Sequence, residues 1–229
     1  MWRALLLSVV LFLTTDIAFS QSSLPSTESQ LPKIAPLRLT GGPQLGPGPV
    51  RENSGIVKSR LWPNVFWMQN DSGDEPRVYA VRRDGSVHAS DRYELPGTLI
   101  GGAINVDWED IGVDKQGHLI VAGFGNNRND RRDLVLYYLM EPDPTAGRTT
   151  WLRRVFFRYP DQEQFPAPSD NFNFDGEALF AIDDVVYVLS KHCSDTATRL
   201  YRFDPKTWHA DQVNTLEYVE RFVKRAARQ

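Results

Sequence analysis

The feature that most constrains this fold is an internal repeat of short apolar runs separated by turn signals. Three units begin at Glu52, Asp107 and Asp175, and each continues with an apolar run, a polar turn and another apolar run. Their leading glutamates are Glu52, Glu109 and Glu177. Turn signals such as Asp84-Gly85 join neighbouring runs, as they do in β-hairpins. Long amphipathic helical patterns are not found, so the repeat predicts an all-β fold.

A repeated unit of four short strands is the construction of a β-propeller blade. The sequence therefore predicts a β-propeller-type repeat of four-stranded blades. About three blades are counted, whereas closed propellers typically have at least four. We interpret the chain as part of a six-bladed ring, closed either by a second copy in a homodimer or by further downstream blades. The alternative is a β-sandwich whose hairpins resemble one another by chance.

The predicted strands follow from the position of each apolar run within its unit. The fourth strand of the first unit is placed at residues 87–95, and residues 216–222 are either a strand or a terminal helix. The remaining predicted strands are residues 65–68, 77–81, 119–122, 134–140, 151–157, 185–189 and 199–203.

Two segments precede the repeats. Residues 1–20 have one basic residue, an apolar stretch, and the small residues Ala18 and Ser20 before a cleavage point, as in a secretory signal peptide. An uncleaved membrane anchor is the alternative. Residues 21–50 are rich in Pro, Ser and Gly and are predicted to be a linker. Residues 51–229 are assigned to the partial β-propeller domain, and the protein is expected to be secreted or periplasmic, with no membrane span after cleavage.

Net charge limits the kinds of partner that the protein is expected to bind, and cysteine content limits the interactions that can stabilise its fold. The formal net charge is −3, so no basic excess favours nucleic acid as a partner. Cys193 is the one cysteine of the chain, which rules out an intramolecular disulfide. Stability is therefore expected to come from the apolar core or from bound ions.

Polar side chains recur at two places in every unit, at the start of the first strand and at the end of the second. The innermost strands of a propeller line its axis, so these positions are expected to converge at one mouth of the channel. At the strand starts they are Glu52, Asp107, Glu109, Asp110, Asp175 and Glu177, and at the strand ends Asn70, Asp71, Asn126, Asn127, Lys191 and His192.

Oxygen ligands dominate this set, which favours a hard divalent cation. Calcium takes six to eight oxygens in irregular geometry, and the four histidines lack the spacing of a zinc site. The candidate metal ligands are Glu52, Asp107, Glu109 and Glu177, with calcium as the expected cofactor. The alternative is that these acids satisfy backbone N–H groups at turns.

These segments resemble exported bacterial six-bladed propellers, which are similar in plan to the esterase-like phytase and regucalcin/gluconolactonase superfamily. The stretch 107–111, Asp-Trp-Glu-Asp-Ile, is the most specific part. The resemblance implies calcium on the channel axis and hydrolysis of phosphoesters or lactones. Asn126 departs from it, because that position would usually be acidic. The other segments that carry it are residues 52–56, 70–73, 125–127 and 175–179, with Lys191.

The function expected from these observations is binding of a divalent cation and a small anionic ligand. If the protein is an enzyme, the expected reaction is metal-assisted hydrolysis. Asp71 or Asp110 is the candidate general base, and Lys191 or Arg128 would stabilise developing negative charge. Two alternatives stay open: a non-catalytic binding scaffold of the cell envelope, and an inactive fragment of a longer propeller.

Overall fold

The computed structural model describes residues 44–45, 48–89, 96–209 and 212–223. The predicted signal peptide and most of the predicted linker lie outside these residues. The described residues form fourteen β-strands and a single 3₁₀ turn, Ser169–Asn171, with no α-helix. The prediction of an all-β chain is confirmed. No helix among them is long and apolar enough to cross a membrane.

Each predicted unit forms one sheet built on a four-stranded antiparallel meander, which we call a blade. Blade 1 contains β1 (Asn53–Lys58), β2 (Val65–Asn70), β3 (Arg77–Arg82) and β4 (Thr98–Gly101). The fourth strand lies later than the expected 87–95. Val87 makes only an isolated bridge to Val81, and residues 90–95 lie outside the described part. Gly97, with a φ of 79°, turns the chain immediately before β4.

Blades 2 and 3 repeat this order. Blade 2 contains β5 (Asp110–Val113), β6 (His118–Gly123), β7 (Leu134–Met140) and β9 (Arg153–Arg158), with β8 (Arg148–Thr150) in the connection between β7 and β9. Blade 3 contains β10 (Asp175–Ile182), β11 (Val185–Lys191), β12 (Ala197–Phe203) and β14 (Glu217–Val223), with β13 (Asn214–Thr215) between β12 and β14. Of the segment 216–222, residues 217–222 thus belong to a strand and not to a terminal helix.

The two short strands join neighbouring blades. β8 leaves blade 2 and pairs in parallel with β4 of blade 1, where Leu99 lies opposite Arg148. β13 leaves blade 3 and pairs in parallel with β9 of blade 2, where Phe157 lies opposite Asn214. The Asn214 side chain also donates a hydrogen bond to the Phe156 carbonyl at 3.1 Å. Each of these pairings covers an outer edge that would otherwise expose unpaired backbone groups.

The apolar core lies between the blades, and β6 shows how it is built. Successive side chains of a strand point to opposite faces, so Leu119 and Val121 pack toward blade 1 while Ile120 and Ala122 pack toward blade 3. All four are fully buried. A strand buried on both faces accounts for the continuous apolar run at 119–122.

The first strands of the three blades lie side by side. A Cβ atom on Gly55 of β1 would come within 2.6 Å of the Ile111 backbone nitrogen in β5. On the other side of β5, the Asp110 Oδ2 atom accepts a hydrogen bond from the Leu179 N–H of β10 at 2.7 Å. The described residues form three consecutive blades and not a closed ring. Phe180, on the face of blade 3 away from blade 2, is 38% exposed.

Replacement of Asp110 tests the contact between the first strands. Asp110→Ala leaves the Leu179 N–H without an acceptor, so we expect a loss of about 1–3 kcal/mol in the free energy of unfolding. Urea denaturation at pH 5 and pH 8 measures it. Burial raises the pKa of Asp110 to about 6, so ionisation of this carboxyl lowers the wild type's free energy of unfolding as the pH rises. The loss should therefore be smaller at pH 8.

A matched control exists at the opposite end of the same strands. Asp183 also links blades 2 and 3, through an ion pair of 2.9 Å with Lys115, but both side chains are exposed. Lys115→Ala removes this ion pair and should leave stability nearly unchanged, because exposed ion pairs contribute little. Equal effects of the two substitutions would contradict the structural role given to Asp110.

Candidate functional site

Five carboxylates meet at one end of the three blades. In an antiparallel hairpin the first strand starts where the second strand ends, so both polar positions of each unit lie at the same end. Asp71 follows β2, Asp107 and Glu109 precede β5, and Asp175 and Glu177 lie in β10. Oxygen atoms of Asp71, Asp107 and Glu109 lie within 4.8 Å of one another, and so do those of Glu109, Asp175 and Glu177. Glu109 belongs to both groups.

The segment before β5 is held by Trp108. This side chain is fully buried, and its indole N–H donates a hydrogen bond to the Ile104 carbonyl at 3.1 Å. The side chain of Asn105 accepts a hydrogen bond from the Trp108 N–H at 3.2 Å and donates one to the Asp71 carbonyl at 2.7 Å. One buried aromatic residue and one amide thus fix Asp107 and Glu109 relative to Asp71 of blade 1.

Gly125 leaves room for the two carboxylates of blade 2. A Cβ atom at this position would collide with the carboxylate of Asp107 and that of Glu109. The Gly125 N–H donates a hydrogen bond to the Asp107 carbonyl at 3.1 Å, which holds the backbone against the acidic segment. Any larger residue here would displace one or both carboxylates from their present positions.

The carboxyl groups of the cluster oppose one another's ionisation, because they are partly buried and carry like charges. Burial and the charges of Glu177, Asp71, Asp107 and Asp175 raise the pKa of Glu109 to about 8. Burial and the charge of Asp71 raise the pKa of Asp107 as well. Glu109 also accepts a hydrogen bond of 3.2 Å from the Ser54 hydroxyl of β1, so all three first-strand segments contribute to the cluster.

Lys191 balances only the part of the cluster in blade 3. Its ammonium lies 3.0 Å from Asp175 Oδ2 and donates a hydrogen bond to Glu177. Among the described residues, no lysine, arginine or histidine forms an ion pair with Asp71, Asp107 or Glu109. Three oxygen ligands without a paired base, beside a glycine that leaves space, fit a divalent cation.

The structure separates the predicted site residues into two sets. The cluster contains four of them together with Asp175, which was expected to converge there but was not chosen as a candidate ligand. Asp175 was predictable, because Asp107 and Glu109 show the same two-residue spacing as Asp175 and Glu177. The predicted residues that meet are Asp71, Asp107, Glu109 and Glu177, with Lys191 beside them.

Three predicted residues lie outside the cluster. Glu52 is exposed and lines a separate cleft of about 430 Å³ beside blade 1. Asp110 accepts the hydrogen bond from Leu179 that links β5 to β10. Arg128 is exposed and lies 3.3 Å from Asp130. Asn126 holds the site indirectly, since its N–H donates a hydrogen bond of 2.6 Å to Asp175 Oδ1.

Comparison with known proteins adds no relative. Neither a scan against protein-family models nor a search of curated proteins returns a match to this chain. The resemblance to exported six-bladed propellers therefore stays a prediction, and the function is argued from the geometry of the carboxylate cluster.

The stability of the metal-free protein should depend on pH through Glu109. Its pKa is higher in the folded state than the ordinary value, so the folded protein binds more protons than the unfolded chain between about pH 4.5 and pH 8. This carboxyl therefore lowers the free energy of unfolding as the pH rises through that range. We expect a steeper fall of Tm in EDTA for the wild type than for Glu109→Gln.

The comparison of the two proteins separates Glu109 from the histidines. Burial lowers the pKa of His88 and of His192, so these groups raise stability with pH and oppose the effect of Glu109. Both histidines are present in the wild type and in Glu109→Gln, so their effects cancel when the two dependences of Tm on pH are compared. Parallel curves of Tm against pH would show that the Glu109 carboxyl is not strained by its neighbours.

Proposed function

We propose that this chain binds one calcium ion at the carboxylates of Asp71, Asp107 and Glu109. The observation that carries the proposal is the approach of these oxygens to within 4.8 Å, with no ion-paired base among the described residues. Burial and the neighbouring negative charges raise the pKa of Glu109, and a divalent cation would relieve the repulsion among these charges. It would also join blade 1 to blade 2, since Asp71 follows β2 and the other two precede β5.

The chemistry of the donors favours calcium over other cations. All three ligands are carboxylates, and they come from two separate segments. Calcium accepts such irregular oxygen sets, whereas magnesium demands a near-ideal octahedron and zinc prefers nitrogen and sulfur. Calcium takes six to eight oxygens, and the three side chains supply three if each carboxylate binds through one oxygen. The remaining positions would be filled by water or by oxygens of a small anionic ligand.

Hydrolysis of a phosphoester or a lactone is the catalytic form of this proposal. The bound cation would polarise a substrate oxygen or lower the pKa of a bound water. Of the candidate catalytic residues, Asp71 lies at the cation position, and Lys191 lies beside the neighbouring carboxylates. Export of the protein, as predicted from residues 1–20, would place it where calcium is abundant.

Thermal melting of the full chain with added calcium, magnesium or EDTA tests cation binding. We expect calcium to raise Tm, EDTA to reverse the shift, and magnesium at equal concentration to have the smaller effect, since a ligand specific for the folded state stabilises it. A panel of phosphoesters and lactones then tests catalysis. Calcium-dependent turnover supports the hydrolase, and binding without turnover supports the non-catalytic scaffold.

A further inference from the structure

The carboxylate cluster consists of two groups of three that share Glu109. The first group, with Asp71 and Asp107, spans blades 1 and 2, and the second group, with Asp175 and Glu177, spans blades 2 and 3. In each group the oxygens lie within 4.8 Å of one another. The two groups differ in positive charge. Among the described residues, an ammonium group lies in the second group and none lies in the first.

Lys191 fills the second group from the end of β11. Its Nζ atom lies 3.0 Å from Asp175 Oδ2 and donates a hydrogen bond to Glu177. Asp175 is 1% exposed, and the one polar partner of its Oδ2 atom among the described residues is the Lys191 ammonium. This oxygen is therefore directed at the ammonium alone, so the group depends on a cation at that position.

We propose that Lys191 limits the cluster to one bound divalent cation by placing its ammonium where a second cation would bind. The inference rests on the proposed function, because it concerns the same cluster. Lys191 acts here as a covalently attached counter-ion for Asp175 and Glu177. Two cations that share a carboxylate lie about 3.5–4 Å apart in known two-metal sites, and Glu109 is the shared carboxylate here.

Removal of the ammonium should open the second position. In Lys191→Met the side chain keeps most of its length and loses its charge, so Glu109, Asp175 and Glu177 face one another without a cation. A divalent ion is then the means of neutralising them. Lys191→Arg keeps a positive charge at the same strand end and serves as the matched control.

Calcium stoichiometry measured by equilibrium dialysis on the full chain tests this inference. We expect one calcium for the wild type, two for Lys191→Met and for Lys191→Gln, and one for Lys191→Arg. One calcium in both neutral variants, at any affinity, overturns the inference. No calcium in the wild type overturns the proposed function instead, so the two failures are distinguishable.

Two further measurements keep the result interpretable. Circular dichroism in calcium establishes that each variant is folded, and Lys191→Gln replaces Lys191→Met if the latter does not fold. The double variant Asp175→Asn with Lys191→Met removes one ligand of the second group. It should return to one calcium, whereas two calcium ions in the double variant would place the extra ion elsewhere and contradict the inference.

Discussion

Calcium affinity should fall by at least about a hundredfold in Glu109→Gln, because this carboxylate belongs to both groups of the cluster. Loss of a residue that only supports a metal ligand already costs roughly 10–100-fold. Glutamine keeps the size of the side chain and can still accept the hydrogen bond from Ser54. The change therefore removes charge and one strong ligand and leaves packing nearly intact. Isothermal titration calorimetry at pH 8 measures the effect.

Glu177→Gln is the matched control for that experiment. Glu177 is a carboxylate of the same cluster, but Lys191 already pairs with it. We expect a loss of affinity several times smaller than that in Glu109→Gln. Equal losses in the two variants would mean that the cation does not bind at Asp71, Asp107 and Glu109 in particular.

Trp108→Ala should lower the free energy of unfolding by about 3–5 kcal/mol, the range for removal of a buried aromatic side chain. Trp108 has no exposed surface, and its ring lies 6.0 Å from that of Tyr137, centroid to centroid. The variant also loses the indole hydrogen bond that fixes the segment between Asp107 and Glu109. We therefore expect weaker calcium binding in whatever fraction remains folded.

Trp62→Ala provides the comparison for the loss of an indole ring. Trp62 packs against the same core cluster but is only partly buried, so its replacement should cost clearly less. Chemical denaturation of both variants in EDTA measures stability without a contribution from bound calcium. A loss below about 1 kcal/mol for Trp108→Ala would contradict the position assigned to this residue.

Much of the fold follows from the sequence, because each blade depends on short apolar strands and local hairpins. The runs at 119–122 and 134–140 became β6 and β7, and those at 185–189 and 199–203 lie within β11 and β12. These strands pair with neighbours close in sequence, so local pattern predicts both the strand and its partner.

The strands that join blades could not be predicted in this way. Arg148–Thr150 and Asn214–Thr215 are short and polar, and each pairs with a strand of another blade. Their stability comes from an edge that is distant in sequence and not from their own apolar pattern. The predicted position of β4, residues 87–95, was also wrong. The chain turns at Gly97, and the strand begins after that turn, beyond the apolar run on which the prediction was based.

Glu52 lies outside the carboxylate cluster, and the register of the first strands gives the structural cause. β1 has a register shift between Asn53 and Gly55, and β10 has one between Gly176 and Ala178. The residue at each shift is Ser54 in blade 1 and Glu177 in blade 3. Ser54, and not Glu52, is thus the equivalent of Glu177, and its hydroxyl donates a hydrogen bond to Glu109.

Calcium titration of the wild-type full chain, by calorimetry at pH 7 in two buffers of different ionisation enthalpy, tests the central claim most directly. We expect one saturable site and release of about one proton, because burial and neighbouring charge hold the pKa of Glu109 near 8 and a ligand carboxyl must ionise. The absence of saturable binding up to about 10 mM calcium, well above the range of weak extracellular sites, would contradict the account.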